Sequence, residues 1–506
     1  MIQKNKKTDM TGRKRIALWI RRVLFLWLIY TFICLVIPPL FHREVSGGEE
    51  FEREPAVEGS VPEGAVARQE RVLSIDDNKD ALLWRLRLIE AAQEKLVLVT
   101  FDFRDDNSGR DIMAALFHAA DRGVEVRVLV DGINGALYLT GNENFRELAA
   151  HENVQVKLYN PINLLTPWKL NYRMHDKYLI ADDLAYILGG RNTDDLFLGH
   201  YADSYNEDRD ILVYETMLGE DGSRGQLEDY FERIWNLSCC RTYGGKASKK
   251  SGGSYLKEHY RLLGEKYPEV FARTDNGLDG SMAEETVWET YWKPELEETA
   301  IAVQKIELIT GPIEAKNKEP RLWEQMLQEM RQEKDILIQT PYIICSGKMY
   351  EDLADLSAEG ARVEMITNAV ESGTNPFGCT DYLNQKKKVQ ETGIHTYEYL
   401  GSQALHTKTI LAGEDISMVG SCNLDMRSIY LDTELMLVIH SPELNAAIRG
   451  QAAELKARSR HVYPDGSVED GAEYRPAKQS LGKEIVFGAL RVLIVPFRHL
   501  LSICII

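Results

Sequence analysis

At 506 residues and a formal net charge of −18, the chain is long enough for two domains with sizeable cores. Eight basic residues and one acidic residue fall in the first 22 positions, so the remainder carries about −25, which weighs against a phosphate-backbone binder and leaves nucleic acid unexpected as a partner. The seven cysteines, among them the adjacent pair Cys239-Cys240, have neither metal-ligand spacing nor a disulfide pattern.

In chain order, Lys4, Lys6, Lys7, Arg13, Lys14, Arg15, Arg21 and Arg22 precede an apolar run from Val23 to Ile37 that ends at Pro38-Pro39. Counting Ile16 to Ile20, and letting the arginines snorkel, the segment is long enough to span a bilayer. The expected layout is a basic cytoplasmic tail (1–15), a transmembrane anchor (16–40) and an acidic tether (41–73) rich in Glu, Gly, Pro and Val. Only Arg43 follows the span closely, so the positive-inside rule puts the amino terminus in the cytoplasm and the body on the other side of the membrane. A cleaved signal peptide is the rival reading, but no small-x-small site follows the run.

Two similar stretches come next. Ala92-Gln93-Glu94-Lys95 leads into Leu96–Val99, a helical pattern and then Val124–Val128; Arg331-Gln332-Glu333-Lys334 leads into Ile336–Ile338, a helical pattern and then Ala361–Met365. Strands alternating with helices predict an α/β fold of two pseudo-symmetric α/β/α sandwich halves, 74–243 and 301–460, with much of each sheet parallel. A connecting segment (244–300) and a carboxyl-terminal tail (461–506) complete the chain. Within that tail Ile485–Ile506 is a candidate interfacial helix, the alternative being a helix packed on the protein's own body. Pro161–Trp168 reads as an ordinary buried loop, with admission of acyl chains as the other reading.

The chemistry lies in a motif that occurs twice, 231 positions apart: His175-Asp176-Lys177 with Asn192, and His406-Thr407-Lys408 with Asn423. In both copies lysine follows histidine by two, glycine by fourteen (Gly189, Gly420) and asparagine by seventeen. One His-x-Lys alone is more often incidental, but a paired copy inside a longer repeat predicts two half-sites seen by one substrate. Residues i and i+2 of a strand share a face, so each histidine and lysine look into one pocket, and the glycine turn after the next strand returns the asparagine. Lysine offers charge and asparagine an uncharged donor to a five-coordinate phosphorane. Histidine's ordinary pKa of about 6.5 lets one ring attack while the other carries a proton. The expected chemistry is phosphodiester exchange through a phosphohistidine, with no metal and no cofactor.

At these residues the chain resembles the phospholipase D superfamily, and within it the bacterial cardiolipin synthases, over roughly residues 74 to 455. The first copy, His175-x-Lys177-x4-Asp182 followed by Gly189-Gly190-Arg191-Asn192, is the family motif complete. The second, from His406 through Gly420-Ser421-Cys422-Asn423 to Thr433-Glu434-Leu435, departs from it at one place: Gly413 stands where the second aspartate should fall, followed by Glu414 and Asp415. The resemblance implies a membrane-bound phosphatidyltransferase acting on phospholipid, with phosphatidylglycerol the expected substrate. Its expected site residues are His175, Lys177, Asp182, Asn192, His406, Lys408 and Asn423, with Asp182 supporting the motif by tying the strand end to neighbouring backbone or a basic group and taking no part in the phosphoryl chemistry. It further implies an acidic residue downstream of each motif to hold a histidine ring, matched here by Asp210 and Glu434, with Asp208 competing for Asp210's place. The lost second aspartate is expected to be replaced by Glu414 or Asp415. A hydrolytic phospholipase D and a lipid-binding pseudoenzyme are the alternatives.

Overall fold

The computed structural model describes residues 17–30, 32–33, 70–215, 222–244, 255–275, 287–371, 376–475, 485 and 487–492. The first part of the chain forms β1 (Glu70–Ile75), β2 (Lys95–Thr100), β3 (Glu125–Asp131), β4 (Val154–Tyr159), β5 (Tyr178–Ala181), β6 (Ala185–Gly189), β7 (Asn206–Glu207), β8 (Asp210–Glu215) and β9 (Cys240–Tyr243). The second forms β10 (Ile301–Ala302), β11 (Lys305–Thr310), β12 (Asp335–Gln339), β13 (Arg362–Asn368), β14 (His395–Tyr399), β15 (Ala404–Leu405), β16 (Thr409–Ala412), β17 (Ile416–Gly420), β18 (Leu435–His440), β19 (Ser459–Val462) and β20 (Val468–Asp470).

Two nine-stranded sheets result, ordered β10-β1-β8-β6-β5-β2-β3-β4-β9 and β11-β18-β17-β16-β12-β13-β14-β19-β20. Edges aside, the order β1-β8-β6-β5-β2-β3-β4 is repeated as β11-β18-β17-β16-β12-β13-β14, so the sequence duplication is a duplication of the sheet. Within these two sheets parallel pairing is confined to β2-β3-β4 and β12-β13-β14, less than the sequence reading expected. Connection length decides this. Helices such as Asn107–Asp121 and Gly347–Ala358 carry the chain back for a parallel strand, whereas the short turns after Ala181 and Ala412 permit only antiparallel return.

Strand alternation sorts the apolar residues into three cores. Leu96, Leu98 and Leu179 face the outer helices of the first sheet, and Ile336, Ile338 and Ile410 those of the second. The residues between them, Val97, Val99, Ile180, Leu337 and Leu411, share one central core with helices Ser223–Trp235 and Pro442–Ala457. This central core draws on both sheets and holds the halves together.

Helices Tyr255–Lys266 and Pro268–Asp275, in the expected connection, bury Leu256, Leu263 and Phe271 in the first outer core. They are pinned through the buried Asp111, which accepts from Lys266 Nζ at 2.6 Å and Tyr267 Oη at 2.6 Å and lies 2.7 Å from His259 Nε2. The Gly-, Lys- and Ser-rich part of the connection lies outside the described residues. At the carboxyl end, Phe487 is buried against the second outer core and Arg491 Nε donates to Asn384 Oδ1 at 3.1 Å. This stretch therefore packs on the body, while residues 493–506 lie outside the described part. Residues 17–30 and 32–33 are helical, and Leu24, Phe25, Leu26 and Phe32 are more than half exposed. No helix among the described residues is long and apolar enough to cross a membrane; the tail, the remainder of the expected anchor and the tether up to residue 69 lie outside them.

Candidate active site

The two motif copies meet where the sheets adjoin. β15, just before His406, pairs in parallel with β7, and a bridge joins Met174 to Thr433. His175 N donates to Thr433 O at 3.2 Å, and His406 N donates to Glu207 O at 2.7 Å. Each histidine thus hangs from the backbone of the opposite half, one residue before an acidic side chain there. The rings continue the pattern: His175 Nδ1 lies 2.9 Å from Glu434 Oε1, and His406 Nδ1 lies 2.7 Å from Asp208 Oδ2. Such a bond places the ring proton on Nδ1 and leaves Nε2 as the reactive nitrogen. Each ring also meets a phenylalanine of the first half edge-on, His175 with Phe101 and His406 with Phe197, at ring-centroid distances of 5.2 and 4.9 Å.

The lysines lie beside the histidines, as two-residue spacing requires. Lys177 Nζ donates to His175 O at 2.5 Å; Lys408 Nζ contacts the ring and carbonyl of His406 and lies 3.5 Å from Asp208 Oδ2. Both are almost fully buried. Asn192 and Asn423 are buried too, and neither Oδ1 meets a protein donor, although Asn423 Nδ2 donates to Tyr342 Oη at 3.1 Å.

The glycines of the motif also serve the packing of the sheet. A Cβ at Gly189 would fall 2.4 Å from Arg209 O, and one at Gly420 would fall 2.2 Å from Leu435 O, both on the neighbouring strand. Glycine therefore lets β8 and β18 close on the motif. The next residue differs between the halves. A Cβ at Gly190 would fall 2.4 Å from Asp208 Oδ1, whereas Ser421, in the same place, donates its hydroxyl to Glu434. Ser428 Oγ also donates to Glu434, at 2.5 Å.

Two sequence expectations are corrected. Asp210 does not meet a histidine: it is buried between Arg85 Nη2 at 2.9 Å and Arg191 Nη1 at 3.3 Å. The register explains why. Asp210 lies opposite Gly189 and Met436 opposite Gly420, so the counterpart of Glu434 is Asp208, two residues earlier. Asp182 has the supporting place expected of it, away from the reacting groups. At the far end of β5, with φ of 44°, its carboxylate accepts from Gln93 N at 2.6 Å, Glu94 N at 3.0 Å and Lys95 N at 2.6 Å, which ties β5 to the start of β2. In the second half neither Glu414 nor Asp415 takes over that place. Asp415 Oδ2 lies 2.8 Å from His440 Nδ1, at the other end of the hairpin's neighbour. The space beside Gly413 is filled by Glu333, whose carboxylate oxygen would lie 2.2 Å from a Cβ there, and Arg449 Nη2 donates to Gly413 O at 2.7 Å.

Electrostatically the two half-sites are unequal. Burial, followed by the charges of Lys177 and Lys408, holds His175 well below the ordinary histidine range. Burial and then Lys408 hold His406 down to about 4, against the pull of Asp208. Burial pushes Glu434 up to about 7, so it gives up its proton reluctantly. Although burial disfavours its charge, Asp208 stays ionised well below the usual carboxylate range because Lys408 and His406 lie beside it. Burial also lowers Lys177 to about 7 and lowers Lys408. The site is thus a desolvated, cation-lined space whose groups would regain charge when an anion enters.

A duplicated α/β chain in which two His-x-Lys segments meet at the junction of twin sheets is of the phospholipase D-like class. The family model described as "Cardiolipin synthase, PLD-like domain" matches residues 86–235 and 326–456, and the chain belongs to that family. It is similar to an uncharacterized protein of Helicobacter pylori strain 26695, 25% identical over 426 residues, 77% of this chain and 80% of that protein. It is likewise similar to cardiolipin synthase C of Escherichia coli K12, 24% identical over 414 residues, 73% and 81% of the two chains. Among solved structures, phosphatidylserine synthase of Haemophilus influenzae superimposes with a TM-score of 0.58 at 15% identity, over 86% of this chain and 95% of that one, a likeness of fold.

Proposed function

We propose that the chain is a membrane-anchored phosphatidyltransferase that joins two phosphatidylglycerol molecules into cardiolipin and releases glycerol. The observation that carries this reading is the crosswise pairing of His175 with Glu434 and of His406 with Asp208, two tautomer-fixed rings in one lysine-lined site. His175 Nε2 attacks the phosphorus, forming an N–P bond as the P–O bond to glycerol breaks, and His406 gives its Nε2 proton to the departing alkoxide. The hydroxyl of a second phosphatidylglycerol then loses its proton to His406 and displaces His175 from phosphorus. The incoming phosphodiester's negative charge raises the pKa of both rings. The fully ionised Asp208 makes His406 the better home for the proton, which supports assigning nucleophile to His175 and acid–base catalyst to His406. Lys177 and Lys408 neutralise the non-bridging oxygens, with Asn192 and Asn423 at their edge, and the reaction needs no metal ion or cofactor.

The names of the relatives and the exposed apolar residues of the helical stretches 17–30 and 32–33 support a lipid substrate and an anchored chain. The basic residues before that helix support a cytoplasmic amino terminus and an extracytoplasmic body. The test is mass spectrometry of lipids after incubating the purified full chain with phosphatidylglycerol vesicles in EDTA. Cardiolipin with stoichiometric glycerol is expected. Phosphatidic acid alone would make the protein a hydrolase, and an unchanged lipid pool would make it a binding protein.

A further inference from the structure

Between β4 and the first motif runs a loop whose apolar side chains point away from the body. Ile162 is 43% exposed, Leu164 55%, Leu165 80% and Trp168 37%. Nothing about it is slack. Leu165 N donates to Asn163 Oδ1 at 2.9 Å, Thr166 N to Asn163 O at 3.1 Å, and Pro167–Asn171 closes it as a short helix. Its base is stapled by Asn160 Nδ2, which donates to Lys169 O at 2.6 Å and to Tyr172 O at 2.8 Å. Asn160 O in turn accepts from Arg173 Nη2 at 2.8 Å, two residues before His175. The loop is therefore rigidly coupled to the strand that carries the first motif.

Its charge is also unusual. From Asn153 to His175 there is no acidic residue, while Lys157, Lys169 and Arg173 fall inside; at the chain's average of 78 acidic residues in 506, about three or four would be expected over that stretch. Leu137 adds to the apolar surface at 64% exposure, on the segment that starts at Gly132, which abuts Pro161. A preformed apolar tip, a Trp suited to the interfacial zone and freedom from acidic repulsion are the features of a surface that enters an anionic bilayer. The sequence alone favoured a buried loop here, because its Leu and Trp content is that of a core.

We propose that Ile162–Trp168 inserts into an anionic lipid surface and sets the first half-site against the bilayer. Insertion brings a lipid phosphate to His175 without the lipid leaving its leaflet. This rests on the reading of the substrate as a phospholipid. The test is performed on the full chain reconstituted in vesicles of phosphatidylglycerol and phosphatidylcholine with brominated acyl chains. Wild type should be quenched more than Trp168→Phe, the difference reporting position 168 independently of Trp19 and Trp27. Leu164→Ser with Leu165→Ser should remove that difference and lower turnover of bilayer phosphatidylglycerol by roughly tenfold or more. Turnover of a monomeric short-chain phosphatidylglycerol should be unchanged. Equal quenching of wild type and Trp168→Phe would overturn the proposal even if the enzyme is active, as would loss of both activities together in the double serine variant. Inactivity of the wild type on either substrate, with quenching at Trp168 intact, would instead sink the proposed reaction and leave the insertion standing.

Discussion

Asp210 opens β8 and Asp208 lies two residues before it, yet their surroundings give them opposite duties. Asp208 faces His406 and Lys408, whereas Asp210 is enclosed by Arg85 and Arg191. Asp208→Asn should therefore lower turnover by about 100-fold or more, since His406 loses the anion that supports its protonated form. Asp210→Asn should cost about 3–5 kcal/mol of stability by stranding buried guanidinium charge, with turnover per folded molecule near wild type. Urea unfolding beside lipid-transfer rates separates the two, and the reverse pattern would refute the assignment. Glu434 offers a pH test. Its folded pKa of about 7 lies above the ordinary 4.5, so its contribution to stability is full below the latter and is lost as pH rises through the former. Glu434→Gln should accordingly gain stability relative to wild type between about pH 5 and about pH 8. Asp208, whose pKa is lowered, acts in the opposite sense, losing its contribution only as pH falls through the acid range. A variant-to-wild-type gap that does not change with pH would show that Glu434 is ionised throughout.

At the scale of the element, the hairpins β5–β6 and β16–β17 show what the sequence could reveal. The spacing of histidine, lysine, glycine and asparagine was legible because all four lie within one hairpin, where period-two geometry fixes their sides. Glu434 was legible through the family resemblance, which places an acidic residue downstream of the motif. Asp208 was not: alternation gives positions 208 and 210 the same face, and only the pairing of Gly189 with Asp210 decides between them. The partners of the histidines, 259 and 198 residues away, are fixed by how the halves dock, which local pattern does not encode. The group that fills the space beside Gly413 was hidden because strand pairing within the second half, remote in sequence, brings it there. It is Glu333, before β12, and not a residue of the turn that contains Gly413. Gly413→Asp should thus cost about 1–3 kcal/mol, because it brings a second carboxylate against Glu333. Adding Glu333→Gln, which removes the competing negative charge, should recover most of that loss. A double-mutant cycle by urea unfolding measures the coupling; additive effects would show that the two positions do not compete for one place.

For the whole molecule, the crosswise bonds mean that neither half holds a complete site. His175 needs the backbone of Thr433 and the side chain of Glu434, and His406 needs those of Glu207 and Asp208. The shared core of both sheets and helices Ser223–Trp235 and Pro442–Ala457 makes that docking permanent. Topology follows from the other end of the chain. With the amino terminus cytoplasmic, protease added to intact spheroplasts should cut between Glu49 and Arg71 and release the body. Protection until the membrane is permeabilised would reverse the orientation.

The central claim is that two histidines share one phosphoryl transfer through a covalent intermediate on His175. An N–P bond survives mild alkali, so the intermediate can be sought directly by rapid alkaline quench and peptide mass spectrometry during turnover of phosphatidylglycerol. A phosphatidyl adduct on the His175 peptide is predicted, absent in His175→Ala and accumulating in His406→Ala with an activated leaving group. An adduct on His406 instead, or cardiolipin formed at wild-type rate by His175→Ala, would contradict the account.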